Sequence, residues 1–146
     1  MKQKSPSNFA IRQFVPNDTN RVIFIWEQCD LVRNWNNPNF DIRRKLNFQK
    51  ELFFVGLLND EIIATAMFGY DGHRGWLNYF AVLPNFQKRG FGKQLMTFGE
   101  MALIEKGCPK LNLQIRNDNT KAINFYQNVG YKEDAAVSFG KRLIED

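Results

Sequence analysis

The segment 87–93 combines glycines with basic side chains in a pattern that could hold a phosphate group. It lies between a predicted strand and a predicted helix and reads Gln87-Lys88-Arg89-Gly90-Phe91-Gly92-Lys93. The first backbone N–H groups of a helix have no acceptor within the helix and lie at the positive end of its dipole, so together they can bind an anion. The sequence therefore predicts an anion site at the start of this helix.

Two common nucleotide-binding motifs do not fit this spacing. A Walker loop would need glycine at Gln87 and a serine or threonine at Gln94. A dinucleotide fingerprint would need a third glycine three residues past Gly92, where the chain has Leu95. The spacing thus disfavours both Mg-nucleotide hydrolysis and a Rossmann cofactor.

Size and composition narrow the classes further. The chain has 146 residues, 44% of them hydrophobic, which suits one domain with its own core. A net charge of +5 favours polyanionic partners, although basic clusters such as Arg43-Arg44-Lys45 are interpreted as solvated surface. Two cysteines and one histidine are too few for a zinc cluster, so no metal is expected.

Localisation is predicted from what the N-terminal sequence lacks. The first residues have no apolar core of a signal peptide, and no stretch approaches the ~20 apolar residues of a membrane span. We expect a soluble, cytoplasmic protein without a membrane partner. Residues 1–7 are predicted to be a flexible segment, followed by a single domain at 8–146.

Hydrophobic periodicity predicts the elements that position the glycine segment. The predicted strands cover 9–14, 52–58, 62–70, 76–83, 110–116, 131–133 and 136–143. Four helices are predicted. The first is capped by Asp18 or Thr19, and the second covers 41–49 with Ile42, Leu46 and Phe48 buried. The third follows the glycine segment and ends near Gly107, and the fourth runs from 117–119 to Val129. Strand, glycine segment, helix and strand form a parallel crossover, whereas the hairpins are antiparallel. The expected class is α/β (α+β), with a mixed, mostly antiparallel sheet of six to seven strands and helices on both faces.

Two signatures in this chain resemble those of one superfamily. The pattern Gln-x-x-Gly-x-Gly at 87–92, after a strand ending Val82-Leu83-Pro84, resembles the Gcn5-related N-acetyltransferase (GNAT) superfamily. Residues 117–119 and 124–131 are similar to its second signature, and the predicted element order agrees from about residue 8 to the end. The strings 26–31, 69–75, 107–110 and 140–146 are also similar to a small bacterial subgroup called YpeA-like.

The resemblance implies acetyl-CoA as co-substrate, with its pyrophosphate at the glycine segment and the parallel crossover at the cofactor site. In the family, the strand before the loop binds pantetheine through its backbone. Asn119 would contact the pantetheine arm, or would only cap its helix. The implied cofactor-binding residues are Phe80, Ala81, Val82, Gln87, Lys88, Arg89, Gly90, Phe91, Gly92, Lys93, Asn119 and Tyr126.

The resemblance also implies a general acid. Tyr126 matches the tyrosine that, in many relatives, lies near the cofactor sulfur and can protonate the leaving thiolate. Asn119 lies seven residues earlier, about two helical turns, so both side chains share a helix face. The alternative is that Tyr126 is an aromatic residue of the core.

The general base is left open by the sequence. Gln114 stands where some protein-acetylating relatives have a glutamate, and its amide does not usefully accept a proton. The alternatives are a water relayed through Tyr79 or Asn78, an acid such as Glu27 or Asp71, or solvent alone. His73 is interpreted as a solvent-exposed turn residue.

The acceptor site is expected between the first two helices, as is usual in this superfamily. Arg33 could pair with a carboxylate and Trp35 could cover a small side chain, which suits an amino acid, a peptide or another small amine. Tyr79 is a further substrate candidate. The alternative is a packed loop with Trp35 in the core.

These observations predict an N-acetyltransferase that transfers an acetyl group from acetyl-CoA by direct attack of a primary amine. The alternative is a CoA-binding or protein-interaction module without catalysis, as Gln114 would allow. A nucleic-acid partner is not expected, because the chain lacks a recognised basic helix or basic-aromatic strand signature. Homodimers are common among such enzymes, and the sequence leaves that state open.

Overall fold

A computed structural model describes residues 8–146, so the N-terminal segment 1–7, predicted to be flexible, lies outside the described residues. The chain divides into two compact units, one ending at Leu113 and the other covering Gln114–Asp146. Each unit is described by itself. The predicted single domain over 8–146 stays a prediction.

The first unit is built on a five-stranded sheet. Its elements, in chain order, are β1 (Phe9–Gln13), α1 (Thr19–Gln28), α2 (Pro38–Leu46), β2 (Phe53–Leu58), β3 (Glu61–Tyr70), β4 (Gly75–Val82), α3 (Phe91–Glu105) and β5 (Leu111–Leu113). The strand order is β1-β2-β3-β4-β5, and all pairs are antiparallel except β4 with β5. This confirms the predicted mixed sheet and its parallel crossover through α3.

The central strand β3 is covered on both faces. Its residues 62–68 are all buried. Trp26 of α1 donates a hydrogen bond to Thr65 Oγ1 at 3.3 Å, whereas Gly99 of α3 lies so close to the Phe68 ring that a Cβ would be 2.0 Å from it. Because Thr65 and Phe68 project to opposite faces of a strand, helices pack on both faces of the sheet, as predicted.

The second helix differs from the prediction at both ends. It covers Pro38–Leu46 rather than 41–49, because the Asn37 side chain accepts a hydrogen bond from the Phe40 N–H at 3.1 Å and so caps the helix. Proline is well suited to the first helical position. Ile42 is buried as predicted, but Phe48 lies beyond the helix and is 60% exposed, and Lys45 is buried instead.

The second unit contains one helix, α4 (Thr120–Asn128). Asn119 caps it by accepting a hydrogen bond from the Ala122 N–H at 3.1 Å, and Gly130, with φ of 101°, follows its end. The predicted strands 131–133 and 136–143 are wrong, because residues 131–146 contain neither strand nor helix. Apolar side chains such as Phe139, 91% exposed, have no buried face to hold a strand in a sheet. Within residues 8–146 the sheet therefore has five strands rather than six or seven, and the fold class is as predicted.

No group of three or more His, Cys, Asp or Glu residues within 8–146 could hold a metal ion. Over the same range, no helix is both long enough and apolar enough to cross a bilayer.

Candidate active site

The glycine segment forms an open helix start at the end of β4. Gly90 precedes the first residue of α3 with φ of 89°, and Lys88 also has a positive φ, 62°. The N–H groups of the first helical turn, at residues 91–93, have no acceptor within the helix. A Cβ at Gly90 would meet nothing within 4 Å. This helix start could hold an anion, and the side chains of Lys88 and Lys93 are exposed beside it.

Gln87 and Arg89 have structural contacts in this loop. The Gln87 side-chain amide donates a hydrogen bond to the Val82 carbonyl at 2.8 Å, which fastens the loop to the end of β4. The Arg89 guanidinium lies over the rings of Phe86 and Phe91, 5.6 and 5.2 Å from their centroids. Phe91 itself is buried. The side chains of Gln87 and Phe91 thus hold the loop, while Lys88, Arg89 and Lys93 are exposed.

A bulge interrupts β4 just before this loop. Met67 pairs with Asn78 and Thr65 pairs with Ala81, so residues 79 and 80 of β4 stand opposite one residue of β3. Tyr79 has φ of 52°, which is unusual for a residue other than glycine. The ladder between β4 and β5 covers only residues 75–77 and 111–113, so the predicted pantetheine residues 80–82 lie past its end.

Tyr79 is held by three neighbouring side chains. Its ring stacks on Trp26 with centroids 3.7 Å apart and an interplanar angle of 16°. Its hydroxyl donates a hydrogen bond to Asp41 Oδ2 at 2.5 Å and accepts one from the Asn36 side-chain amide. Asp41 in turn forms an ion pair with Arg44 at 2.7 Å. No sequence pattern indicates this network, because its members come from three separate segments.

A cavity of about 580 Å³ opens beside Tyr79, between α2 and the adjoining ends of β3 and β4. Its charged and aromatic lining includes Asp41, Arg44, Lys45, Asp71, Trp76 and Tyr79. Its size would admit a small organic molecule. The predicted substrate residue Tyr79 and the candidate base Asp71 therefore lie at a cavity, together with Asp41, Arg44 and Lys45, which the sequence did not place at a site.

Arg33 and Trp35, the other predicted substrate residues, lie outside the lining of this cavity. Arg33 forms an ion pair with Asp30 at 2.9 Å, and its guanidinium is 5.9 Å from the centroid of the Trp35 ring. Trp35 is 55% exposed rather than packed in the core. A substrate role for these two residues stays a prediction.

Asp71, a candidate base, lines the cavity but is committed to a turn. Its carboxylate accepts hydrogen bonds from the N–H groups of Arg74 and His73, both at 2.8 Å, and from the Trp76 indole at 3.3 Å. The backbone hydrogen bonds from Arg74 and His73 lower the pKa of Asp71, which makes it a weak base. His73 is exposed in this turn, as predicted.

Lys45 is the one buried lysine among the described residues, with 8% of its surface exposed. Its ammonium donates a hydrogen bond to the Phe68 carbonyl of β3. Burial lowers the pKa of Lys45 to about 8, although the nearby Glu51 carboxylate partly opposes this. The interpretation of 43–45 as solvated surface is therefore wrong for Lys45.

The second unit carries the other predicted residues. The Tyr126 ring lies edge-on to Phe125 and Tyr131, with centroids 5.2 and 6.0 Å away. Burial raises the pKa of Tyr126 above its usual value, so its hydroxyl stays protonated at neutral pH. Gln114 donates a hydrogen bond to the Ser138 hydroxyl at 2.5 Å. Asn119 caps α4, and its predicted contact with pantetheine is untested.

The family of this chain follows from its match to a family sequence model. Residues 20–131 match the sequence model of the acetyltransferase (GNAT) family. This chain belongs to the GNAT acetyltransferases. The matched residues span most of the described chain, including α1, the bulged β4, the glycine segment and α4. The sequence resemblance to GNAT proteins is thereby confirmed, while the YpeA-like subgroup stays a prediction.

Curated relatives agree with the GNAT assignment. An acetyltransferase of Yersinia pestis (strain Pestoides F) is 46% identical over 136 residues, which cover 93% of this chain and 96% of the relative. An acetyltransferase of Pectobacterium atrosepticum is likewise 46% identical over 136 residues, with the same coverage of 93% and 96%. This GNAT chain is accordingly an acetyltransferase. Its match to these relatives covers nearly the whole length of both proteins.

Solved structures share the GNAT fold at low sequence identity. Ard1 from Thermoplasma volcanium has a TM-score of 0.76 at 24% identity, covering 88% of this chain and 85% of that one. The aminoglycoside acetyltransferase AAC(6')-Iy, in complex with a CoA bisubstrate analogue, has a TM-score of 0.75 at 19% identity, covering 94% and 100%. The ribosomal-protein-S18-alanine N-acetyltransferase of Escherichia coli has a TM-score of 0.71 at 22% identity, covering 87% and 79%.

Proposed function

We propose that this protein transfers the acetyl group of acetyl-CoA to a primary amine, such as an amino acid, a peptide or another small amine. The observation that carries this proposal is the arrangement along β4. Tyr79 lines the cavity, and three residues later Val82 accepts the hydrogen bond that fastens the glycine segment. Three strand residues span about 10 Å. An acyl donor at the helix start could therefore present its acyl group to the cavity.

The donor would bind through backbone and basic groups. The pyrophosphate would lie against the N–H groups that open α3, with Lys88, Arg89 and Lys93 supplying positive charge. The pantetheine arm would run beside residues 80–82, past the end of the β4–β5 ladder. A backbone N–H group of this strand would then polarise the thioester carbonyl and stabilise the tetrahedral oxyanion. The AAC(6')-Iy structure contains a CoA bisubstrate analogue, which supports this type of donor on this fold.

Proton transfer would use two tyrosines in different roles. Tyr126 is the proposed general acid for the leaving thiolate, since its hydroxyl stays protonated. On the acceptor side, the Tyr79 hydroxyl and the Asp41 carboxylate it contacts could relay the amine proton through water. Gln114 cannot take that role, because its side-chain amide is not a useful base.

Calorimetry with acetyl-CoA and acetyl-pantetheine tests the donor site. Acetyl-pantetheine lacks the pyrophosphate, so neutralising Lys88 or Lys93 to glutamine should weaken only acetyl-CoA binding, by about tenfold per charge. Lys50→Gln, which removes an exposed lysine elsewhere, is the matched control. Absence of acetyl-CoA binding would contradict the proposal. Equal losses for both ligands would place the pyrophosphate elsewhere.

A CoA-binding module without catalysis is the second candidate, and it rests on Gln114 standing where some relatives have a glutamate. Such a module would bind acetyl-CoA without releasing its thiol in the presence of amines.

We also infer that the chain belongs to the YpeA-like subgroup, because four of its sequence strings resemble that subgroup. A common acceptor shared with other members of the subgroup would support that inference.

A further inference from the structure

The cavity wall contains a buried cation without a carboxylate beside it. Lys45 is more than nine-tenths buried, and it is one of the residues that line the cavity. Among residues 8–146, its hydrogen-bond partner is the Phe68 carbonyl, and no carboxylate lies within ion-pair distance of it. An ammonium has three N–H donors, so two are left without a protein acceptor. A buried charge with unsatisfied donors is costly unless a ligand completes it.

The acids near Lys45 are engaged with other groups. Asp41 forms its ion pair with Arg44 and accepts from a tyrosine hydroxyl. Glu51, which faces Lys45 from the segment before β2, forms an ion pair with Lys106 at 3.0 Å. Neither carboxylate is therefore available to neutralise the ammonium at close range.

The remaining ionisable residues of this wall are also committed. The Asp71 carboxylate accepts its hydrogen bonds within the turn that follows β3. The Tyr70 hydroxyl is within hydrogen-bond distance of the carbonyls of Gly72 and Gly107, at 3.3 and 3.4 Å. Within residues 8–146, the Phe48 ring lies 5.9 Å from Lys45 Nζ, but no carboxylate forms an ion pair with this charge.

The missing side chain of Gly69 leaves a small opening beside the ammonium. A Cβ there would be in ordinary van der Waals contact with Lys45 Nζ, at 3.4 Å, and with Gln49 Oε1, at 3.6 Å. The Gln49 side chain bonds both the N–H and the carbonyl of Tyr70, at 2.8 and 2.7 Å. These bonds fix the segment after α2 to the end of β3, so the opening beside Lys45 is held in place.

We propose that Lys45 binds the carboxylate of the acceptor, so that the acceptor is a carboxylate-bearing amine such as an amino acid or a short peptide. The carboxylate would accept the two unassigned N–H donors, and the rest of the molecule would extend through the cavity toward Tyr79 and β4. A cavity of about 580 Å³ is large enough for such an acceptor. This inference rests on the proposed acetyl transfer and specifies its acceptor class.

Thiol release from acetyl-CoA, measured with the standard amino acids and their carboxamides, tests the acceptor class. Rates are compared per concentration of unprotonated amine, because an amide lowers the pKa of the neighbouring amine. We expect kcat/KM to favour the carboxylates by at least about tenfold, since a charge-assisted bond is lost with the amide. Above about pH 8, KM for the carboxylates should rise as Lys45 loses its proton, while KM for the carboxamides should not.

Two variants separate the charge of Lys45 from the space beside it. Lys45→Met removes the charge, and Gly69→Val fills the opening while leaving the lysine in place. Each should raise KM for the preferred carboxylate by about tenfold or more with little change in kcat. Lys45→Met should leave the carboxamides unaffected, whereas Gly69→Val, which acts through space rather than charge, should also raise KM for the isosteric carboxamides. Lys50→Met, at an exposed lysine of the same region, should behave as the wild type. Gly69→Val keeps the test decisive if Lys45→Met fails to fold.

A binding measurement tests the role of Lys45 independently of acetyl transfer. The ¹³C NMR signal of the Lys45 side chain reports its pKa, which a bound amino acid should raise and a bound carboxamide should not. Carboxamides that react as well as carboxylates would overturn the role of Lys45 while supporting acetyl transfer. No turnover with any amine would contradict the proposed function, and the NMR titration would then decide the role of Lys45: an unchanged pKa with every amino acid overturns it.

Discussion

Lys45 should make the stability of the fold depend on pH in a direction that is unusual for a lysine. Its pKa is lowered from 10.5 to about 8 by burial. Below about pH 8 the folded and unfolded chains both hold this proton. Between about 8 and 10.5 the unfolded chain binds more protons than the folded one, so the free energy of unfolding rises with pH.

The size of the effect follows from the two pKa values. Their difference corresponds to an upper limit on the order of 3 kcal/mol across the whole interval. At about pH 9.5 the gain should reach on the order of 2 kcal/mol, because the folded lysine is then almost fully neutral. Lys45→Met keeps a long unbranched side chain without a titratable group, so it should lack this gain.

Urea denaturation followed by tryptophan fluorescence measures the effect between about pH 7 and 9.5. The informative quantity is the difference in unfolding free energy between wild type and Lys45→Met, because other titrating groups cancel in it. We expect the wild type to gain stability relative to Lys45→Met as pH rises. The unfolding free energy of Lys50→Met, at an exposed lysine, should change with pH as that of the wild type does. A difference that stays constant over this range would refute the burial of a charged lysine at this place.

Three further substitutions test other parts of the structure. Tyr126→Phe should lower kcat by about 100-fold with little change in acetyl-CoA affinity, and an unchanged kcat in steady-state kinetics would remove Tyr126 from proton transfer. Gly90→Ala should cost about 1–2 kcal/mol in urea denaturation, because its φ of 89° is strained for alanine, and calorimetry should show weaker acetyl-CoA binding. Gly99→Ala should lower the free energy of unfolding by about 1–3 kcal/mol, because the new Cβ would lie 2.0 Å from Phe68 Cζ. The same substitution at an unobstructed helix position would raise it. Adding Phe68→Leu should recover part of the loss.

Much of the fold is predictable because local chemistry specifies it. The turn between β2 and β3 has Asn59 and Asp60 at φ of 51° and 70°, as suits a tight hairpin turn, and the sequence predicts a hairpin there. Gly90 marks the start of α3, and Gly130 follows α4. Where the sequence treats Pro38 only as a break, it misses that Asn37 and Pro38 together are a helix start.

The acceptor side is less predictable, because it depends on contacts between distant segments. Tyr79 meets Asn36 and Asp41 across more than thirty residues of sequence, and its bulge has no glycine to mark it. Lys45 did carry a signal: it lies three residues after Ile42, on the same face of α2. Charge alone assigned it to the surface, whereas helical spacing would have placed it beside the core.

The donor side was better specified. The glycine segment has a fixed spacing and a fixed place between a strand and a helix, and the structure shows an open helix start there. The basic residues around it are exposed, as an anion site requires. The residue types in this loop carry the information because backbone groups, rather than distant side chains, would make the contacts.

The central claim is amine-dependent acetyl transfer, and its most direct test is thiol release from acetyl-CoA, with the product identified by mass spectrometry. The wild-type protein is incubated with acetyl-CoA and a panel of amino acids, peptides and other small amines. We expect thiol release that depends on at least one amine and yields the N-acetylated form of that amine. Tight binding of acetyl-CoA, with no amine in the panel becoming acetylated, would contradict it and favour a binding module.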